Sequence, residues 1–138
     1  MSDEPVKLPV GRTPELRLMP MPHDVNPAGD IFGGWIMAQV DIAGGLAAIR
    51  RARGRVATVS VNSFVFRQPV SVGDVVSLFA EVIKIGRTSI TVAVEVYAER
   101  HPADPITVKV TEAVLTYVAL DAQGKKREVP PETATPVA

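Results

Sequence analysis

The sequence predicts a two-layer α+β domain in which a curved antiparallel sheet wraps one long helix. Three observations lead there. Helical spacing of apolar residues occurs once, in a segment between residues 31 and 53, and that segment has almost no polar face. Downstream, four runs of 11–14 residues are rich in β-branched and aromatic side chains. The links between them are too short for parallel crossovers, so neighbouring strands must run antiparallel. A small β-barrel with an N-terminal helix is the alternative. It ranks second because so apolar a helix does not suit a peripheral position.

The elements follow in order. Residues 1–12 are rich in proline and charge and read as a flexible N-terminal arm. Glu15–Met19 fits a short strand closed by Pro20 and Pro22, and Met21–Asp30 (MPHDVNPAGD) reads as a shaped loop. In IFGGWIMAQVDIAGGLAAIRRAR, the residues Ile36, Val40, Ala43 and Ala47 recur at spacings of four, three and four, predicting a helix from Gly34 to Arg51. Asp30 is the candidate cap and Gly54 the candidate stop, with arginines in the last turn where the helix dipole favours them. Strands are predicted at Val56–Phe66, Val75–Ile85, Thr88–Glu99 and Thr107–Leu120, each bounded by turn residues. At about 3.3 Å per residue such strands reach about 36–48 Å, long enough to demand strong twist. In the third, Ile90, Val92, Val94 and Val96 point one way, while Thr91, Ala93, Glu95 and Tyr97 point the other. The domain should span residues 13–126, and 127–138 should be a disordered tail rich in Pro, Thr and Ala.

Composition removes several function classes. The 138 residues suit one domain, and 46% hydrophobic with 22% charged residues argues for a packed core. Fifteen basic and fifteen acidic residues cancel, so no bulk cationic footprint for nucleic acid exists. With no cysteine there is no disulfide, thiolate nucleophile or cysteine-ligated metal. Two histidines, His23 and His101, are too few for a site of three or more histidine ligands within the chain. The hydrophobic stretch Ile31–Ile49 is broken by Gln39, Asp41 and glycines and makes a poor membrane span. The first twenty residues lack a signal-peptide core, so a cytoplasmic protein is expected.

Chemistry concentrates in MPHDVNPAGDIFGGWIMAQVDIAGG. Asp41 lies in an otherwise apolar helix. A buried carboxylate is costly unless bonded or protonated, so Asp41 is either a functional acid or a charge satisfied by a neighbouring element. Gly33 and Gly34 at the helix start can bring bare amides against an oxygen atom, or can simply form a tight turn.

Four stretches carry a resemblance to a known family: MPHDVNPAGDIFGGWIMAQVD, RVATVSVNSFVFRQPVSVGDVV, IGRTSITVAVEV and KVTEAVLTYVALDAQGK. Together they cover about Met19 to Lys125 and resemble the hotdog-fold acyl-CoA thioesterases, in the YciA-like branch related to the animal cytosolic acyl-CoA hydrolases. The resemblance implies a central helix wrapped by a five- or six-stranded antiparallel sheet. It implies dimers joined sheet edge to sheet edge, commonly three to a hexamer, with each active site drawn from two chains. A second chain covering the helix would account for its missing polar face. The implied reaction is hydrolysis of an acyl-CoA thioester to free coenzyme A and a carboxylic acid. No cofactor is required, because coenzyme A is part of the substrate, and neither nucleic acid nor membrane is a partner.

Residue by residue, the family's helix carboxylate corresponds to Asp41, its loop asparagine to Asn26, and its helix-start glycines to Gly33 and Gly34. Asp41 would activate water as general base or attack directly, forming a mixed anhydride. An amide at Gly33 or Gly34 would stabilise the oxyanion. Asn26, reaching from the neighbouring protomer, would hold the water or the carbonyl; its other possible role is closing its own turn. For the coenzyme A phosphates, Arg67, Arg87 and Lys109, with Thr88 and Ser89, are expected to converge as a cationic cluster. Many relatives carry a basic residue where this chain has Gln68. His23 and His101 read as surface residues. Trp35, Met37 and Ala38 are candidates to line an acyl tunnel.

Competing readings are a non-catalytic acyl-CoA-binding hotdog domain, an enoyl-thioester hydratase and a purely structural oligomer. The first would not need Asp41. The second requires an Asp/His pair that neither histidine is placed to supply.

Overall fold

The computed structural model describes residues 5–132. Its elements are β1 (Leu16–Leu18), a 3-10 turn at Pro22–Asp24, α1 (Gly33–Ala52), β2 (Val56–Phe66), β3 (Val75–Ile85), β4 (Ser89–Arg100) and β5 (Ile106–Ala119). The strands form one antiparallel sheet of five in the order β1-β3-β4-β5-β2, which leaves β1 and β2 as its edges. Of the expected five or six strands, five are present among the described residues.

Strand alternation builds the core. Ile90, Val92, Val94 and Val96 are all buried on one face of β4. Tyr117, Leu115, Ala113 and Thr111 of β5 lie opposite them in register, and Leu78 and Ala80 of β3 pair with Val96 and Val94. On this face rests the helix stripe Ile36, Val40, Ala43 and Ala47, also buried as its spacing predicts. Small residues on that stripe let the helix approach closely, and each large aliphatic side chain removed from water contributes about 1.5–3 kcal/mol. Two register shifts in β2, between Thr58 and Ser60 and between Val61 and Ser63, bend that edge strand around the helix.

Both expected helix ends are corrected. Phe32, not Asp30, is the N-cap, and no side chain caps the helix. Asp30 is drawn instead into the preceding loop, where its backbone N–H donates to Asn26 Oδ1 at 3.1 Å. At the other end the left-handed residue is the C-cap Arg53 (φ 56°), so the helix ends at Ala52, two residues before Gly54. Gly54 leaves room for the Arg127 guanidinium, whose Nη2 would lie 2.9 Å from a Cβ there.

Arg127 also moves the domain boundary. Its Nη2 donates to the Ala52 carbonyl at 2.6 Å and its Nε to the Leu120 carbonyl at 2.9 Å, satisfying a free acceptor at the helix C-terminus. The Val129 amide bonds to Arg87 O, and Arg51 Nη1 to Pro130 O. Residues 127–132, expected in the tail, are therefore docked on the domain, and 133–138 lie outside the described residues. In the N-terminal arm, Arg12 stacks over Phe79 at 5.5 Å and pairs with Glu95 at 3.7 Å; residues 1–4 lie outside the described residues. Among the described residues no helix is long and apolar enough to cross a membrane.

Candidate active site

Asp41 sits two turns into α1, on the flank of the helix that borders β2 and β5. Within one chain it is exposed, not buried as its apolar neighbours suggested. The reason is that the helix is apolar on both sides. Its inner stripe meets the sheet, while Met37 and Ile42, about 43% and 49% exposed, flank Asp41 on an outer stripe that the other described residues leave open. The carboxylate is nevertheless held. Its Oδ1 accepts from Thr58 Oγ1 at 2.7 Å and lies 3.1 Å from the Tyr117 hydroxyl, which is also 2.9 Å from the Asp41 carbonyl. Thr58 and Tyr117 are register partners across β2 and β5, so the strand pairing presents both hydroxyls to one oxygen. Burial, reinforced by the adjacent Asp41 charge, pushes the Tyr117 phenol well above its ordinary pKa, so it stays a protonated donor. Among the described residues no hydrogen bond reaches Asp41 Oδ2.

Asn26 occupies a closed loop. A bridge between Val25 and Ile31 joins the loop's ends. Asn26 Oδ1 accepts from the Ala28 and Asp30 amides at 2.9 and 3.1 Å. Its oxygen thus closes its own turn, and the side-chain amide nitrogen remains as the group it can offer outward. The Asp24 carbonyl accepts from Phe32 N–H and Val70 O from Ile31 N–H, which fixes where the helix begins. Gly33 and Gly34 are its first two residues, whose amides have no acceptor within the helix. Beside them opens a mainly apolar cleft of about 350 Å³ walled by Ile31, Ile36, Phe66, Pro69 and Val70, with Gln68 at its margin. Gly33 packs against the Phe66 ring, where a Cβ would lie 3.4 Å away, in ordinary contact with this wall.

Gly33 and Asp41 are eight residues apart, about 12 Å along the helix axis at 1.5 Å per residue. One acyl carbon cannot touch both within a single chain.

The expected cations do not converge within one chain either. Arg67 and Lys109 meet at Glu112, at 2.7 and 2.5 Å, and Lys109 also pairs with Glu95 at 3.3 Å. These contacts, Lys109 first, hold the Glu112 carboxyl down at about 2. Arg87, with Thr88 and Ser89, is at the opposite end of β4. Ser89 pairs with Val118 whereas Tyr97 pairs with Lys109, which separates the two groups by about 27 Å of strand. Arg87 is exposed, with Glu128 3.5 Å away. His23 is on the surface, 3.5 Å from Asp24, and His101 occupies a left-handed turn position.

Thr58 and Tyr117 escape sequence reasoning because their link to Asp41 depends on strand register. The one available signal was the second glycine pair, Gly44-Gly45. A Cβ on Gly44 would lie 2.5 Å from the Tyr117 hydroxyl.

Comparison with known proteins agrees with this architecture. Residues 28–103 match the family model described as the thioesterase superfamily. The acyl-CoA thioester hydrolase YciA of Escherichia coli K12 is 46% identical over 119 residues, covering 85% of this chain and 90% of that protein. The hexameric thioesterase of Yersinia pestis superposes with a TM-score of 0.83 at 46% identity, covering 91% of this chain and 100% of that one. An acyl-CoA hydrolase from Staphylococcus aureus, solved in complex with butyryl coenzyme A and coenzyme A, superposes with a TM-score of 0.77 at 30% identity, covering 83% of this chain and 70% of that one. With the family model spanning more than half its length and its helix-on-sheet fold shared throughout, this chain belongs to the hotdog-fold thioesterase superfamily.

Proposed function

We propose that this protein is an acyl-CoA thioesterase, hydrolysing acyl-CoA to free coenzyme A and a carboxylic acid in the cytoplasm. The observation that carries the reading is the state of Asp41, a carboxylate with one oxygen held by two hydroxyls and the other unclaimed in an exposed apolar helix face. Oδ2 can take a proton from water while the water oxygen attacks the thioester carbon. The carbonyl oxygen turns negative and is met by an amide of Gly33 or Gly34, an interaction worth about 2.7–4 kcal/mol per donor. The C–S bond then breaks, and the departing thiolate takes up a proton as coenzyme A. Alternatively Oδ2 attacks directly, and water hydrolyses the resulting anhydride.

The separation between Asp41 and the helix start requires two chains per site. The unpaired β2 edge and the outer helix stripe support a dimer in which Asp41 of one protomer faces Gly33, Gly34 and Asn26 of its partner. A two-fold axis beside β2 reverses the partner sheet. The Arg87 end of one chain then lies beside the Arg67 and Lys109 end of the other, which brings the phosphate-binding cations toward one another. Relatives solved as hexamers support three such dimers.

The direct test follows thiol release from acyl-CoA esters from acetyl to palmitoyl, beside the matching acyl-pantetheine esters. Turnover is expected across part of the series, with a KM several-fold lower for the coenzyme A esters. Tight binding without thiol release would establish a non-catalytic acyl-CoA-binding domain instead.

A further inference from the structure

We propose that Tyr117 is a positioning residue for Asp41, setting which carboxylate oxygen meets the substrate. This rests on the thioesterase reading. The Tyr117 side chain is 1% exposed, and its hydroxyl lies within reach of both Asp41 O and Asp41 Oδ1. One proton must choose between them. The backbone carbonyl already accepts the helical bond from four residues on, whereas Oδ1 carries negative charge and makes the stronger, charge-assisted acceptor. The proton therefore goes to Oδ1, alongside the one from Thr58.

Thr58 alone gives the carboxylate a single contact, from a residue beside a register shift in β2. Tyr117 stands on β5, a strand paired on both sides, and its ring is seated against the helix backbone. The seat depends on Gly44. A Cβ on Gly44 would come to 2.5 Å from the hydroxyl and 3.2 Å from Cζ, and one on Gly45 to 3.7 Å from Cε1. Gly44 thus serves the catalytic carboxylate by clearing space for the phenol that orients it. Two donors on Oδ1 turn Oδ2 toward the reacting water, and holding that geometry is the contribution to rate.

The test combines Tyr117→Phe, Gly44→Ala and Asp41→Asn. Tyr117→Phe keeps the ring and removes the hydroxyl. It should lower kcat about tenfold, with KM within twofold and the melting temperature within a few degrees of wild type. Gly44→Ala, which forces the hydroxyl off Asp41, should give a kcat loss of the same size, and combining the two should add little. In an Asp41→Asn background, Tyr117→Phe should cost nothing further, because the hydroxyl acts only through the carboxylate. An unchanged kcat in Tyr117→Phe, or an equal fall in both backgrounds, overturns the assignment. If wild-type protein releases no thiol from any acyl-CoA, the thioesterase reading fails. If wild type is active and Asp41→Asn is not, while Tyr117→Phe matches wild type, only the positioning role fails.

Discussion

Asp41 shows how a side chain's surroundings, more than its type, decide its chemistry. Two hydroxyls meet Oδ1 and orient the carboxylate, while Oδ2 has no hydrogen bond among the described residues and the helix face beside it is apolar and exposed. Asn at this position keeps the shape and the acceptor but cannot take a proton or form an anhydride. Asp41→Asn should therefore lower turnover about 10²–10⁴-fold, with substrate binding, assembly and melting temperature near wild type. Single-turnover thiol release with calorimetric binding of acyl-CoA measures both arms. A variant retaining more than about a tenth of wild-type turnover would remove Asp41 from the chemistry, and one that falls into monomers would make it an interface residue. Asn26 is held by its loop. Its oxygen closes its own turn, one of the two roles the sequence offered, and a part for its amide nitrogen in the site belongs to the proposed two-chain arrangement.

At the scale of elements, the helix has two apolar sides and the sheet covers one. Ile42, about half exposed and next to Asp41, lies on the uncovered side. A charge there has no partner when a second chain closes over it, and desolvating it costs several kcal/mol. Ile42→Asp should leave a folded monomer at micromolar concentration, with native-like circular dichroism and no thioesterase activity. Light scattering distinguishes this from a retained assembly, and an active monomer would overturn the two-chain site. The β2 edge belongs to the same surface. It is eleven residues long, with Val59, Val61 and Val65 each about half exposed, which is an unusually apolar free edge for a chain that works alone.

The whole molecule is neutral, yet its charges are organised across the sheet. On the outer face Arg67, Lys109, Glu95 and Glu112 form one network, joined by the Tyr97 hydroxyl at 2.6 Å from Glu95. Glu112, held at about 2 by Lys109 and then Arg67, has a folded pKa below its ordinary value near 4.5. Its contribution to stability is therefore complete above the ordinary pKa and is lost as pH falls from about 4.5 through about 2. The side chain is 40% exposed, so solvent screening keeps the effect modest. Thermal melts should show wild type more stable than Glu112→Gln at pH 7, with the gap closing toward pH 2. A gap that stays constant with pH would show that the pair contributes no ionic stabilisation.

Local pattern determined a great deal. The ranges Val56–Phe66 and Val75–Ile85 were legible residue for residue, because alternation and turn chemistry act between near neighbours. The helix and its buried stripe were legible for the same reason, and Asp41 and Asn26 stood out through their context and the family resemblance. What only the tertiary structure decided depends on pairing between distant segments. Tyr117 reaches Asp41 across 76 residues because antiparallel register puts it opposite Thr58 and the helix lies over that pair. Arg127 satisfies the Ala52 carbonyl across 75 residues, which drew six expected tail residues onto the domain. The same register sets Arg87 apart from Arg67 and Lys109, although all three stand near strand ends in the sequence. Periodicity specifies which face of an element is apolar, whereas register and packing specify which atom each polar group meets.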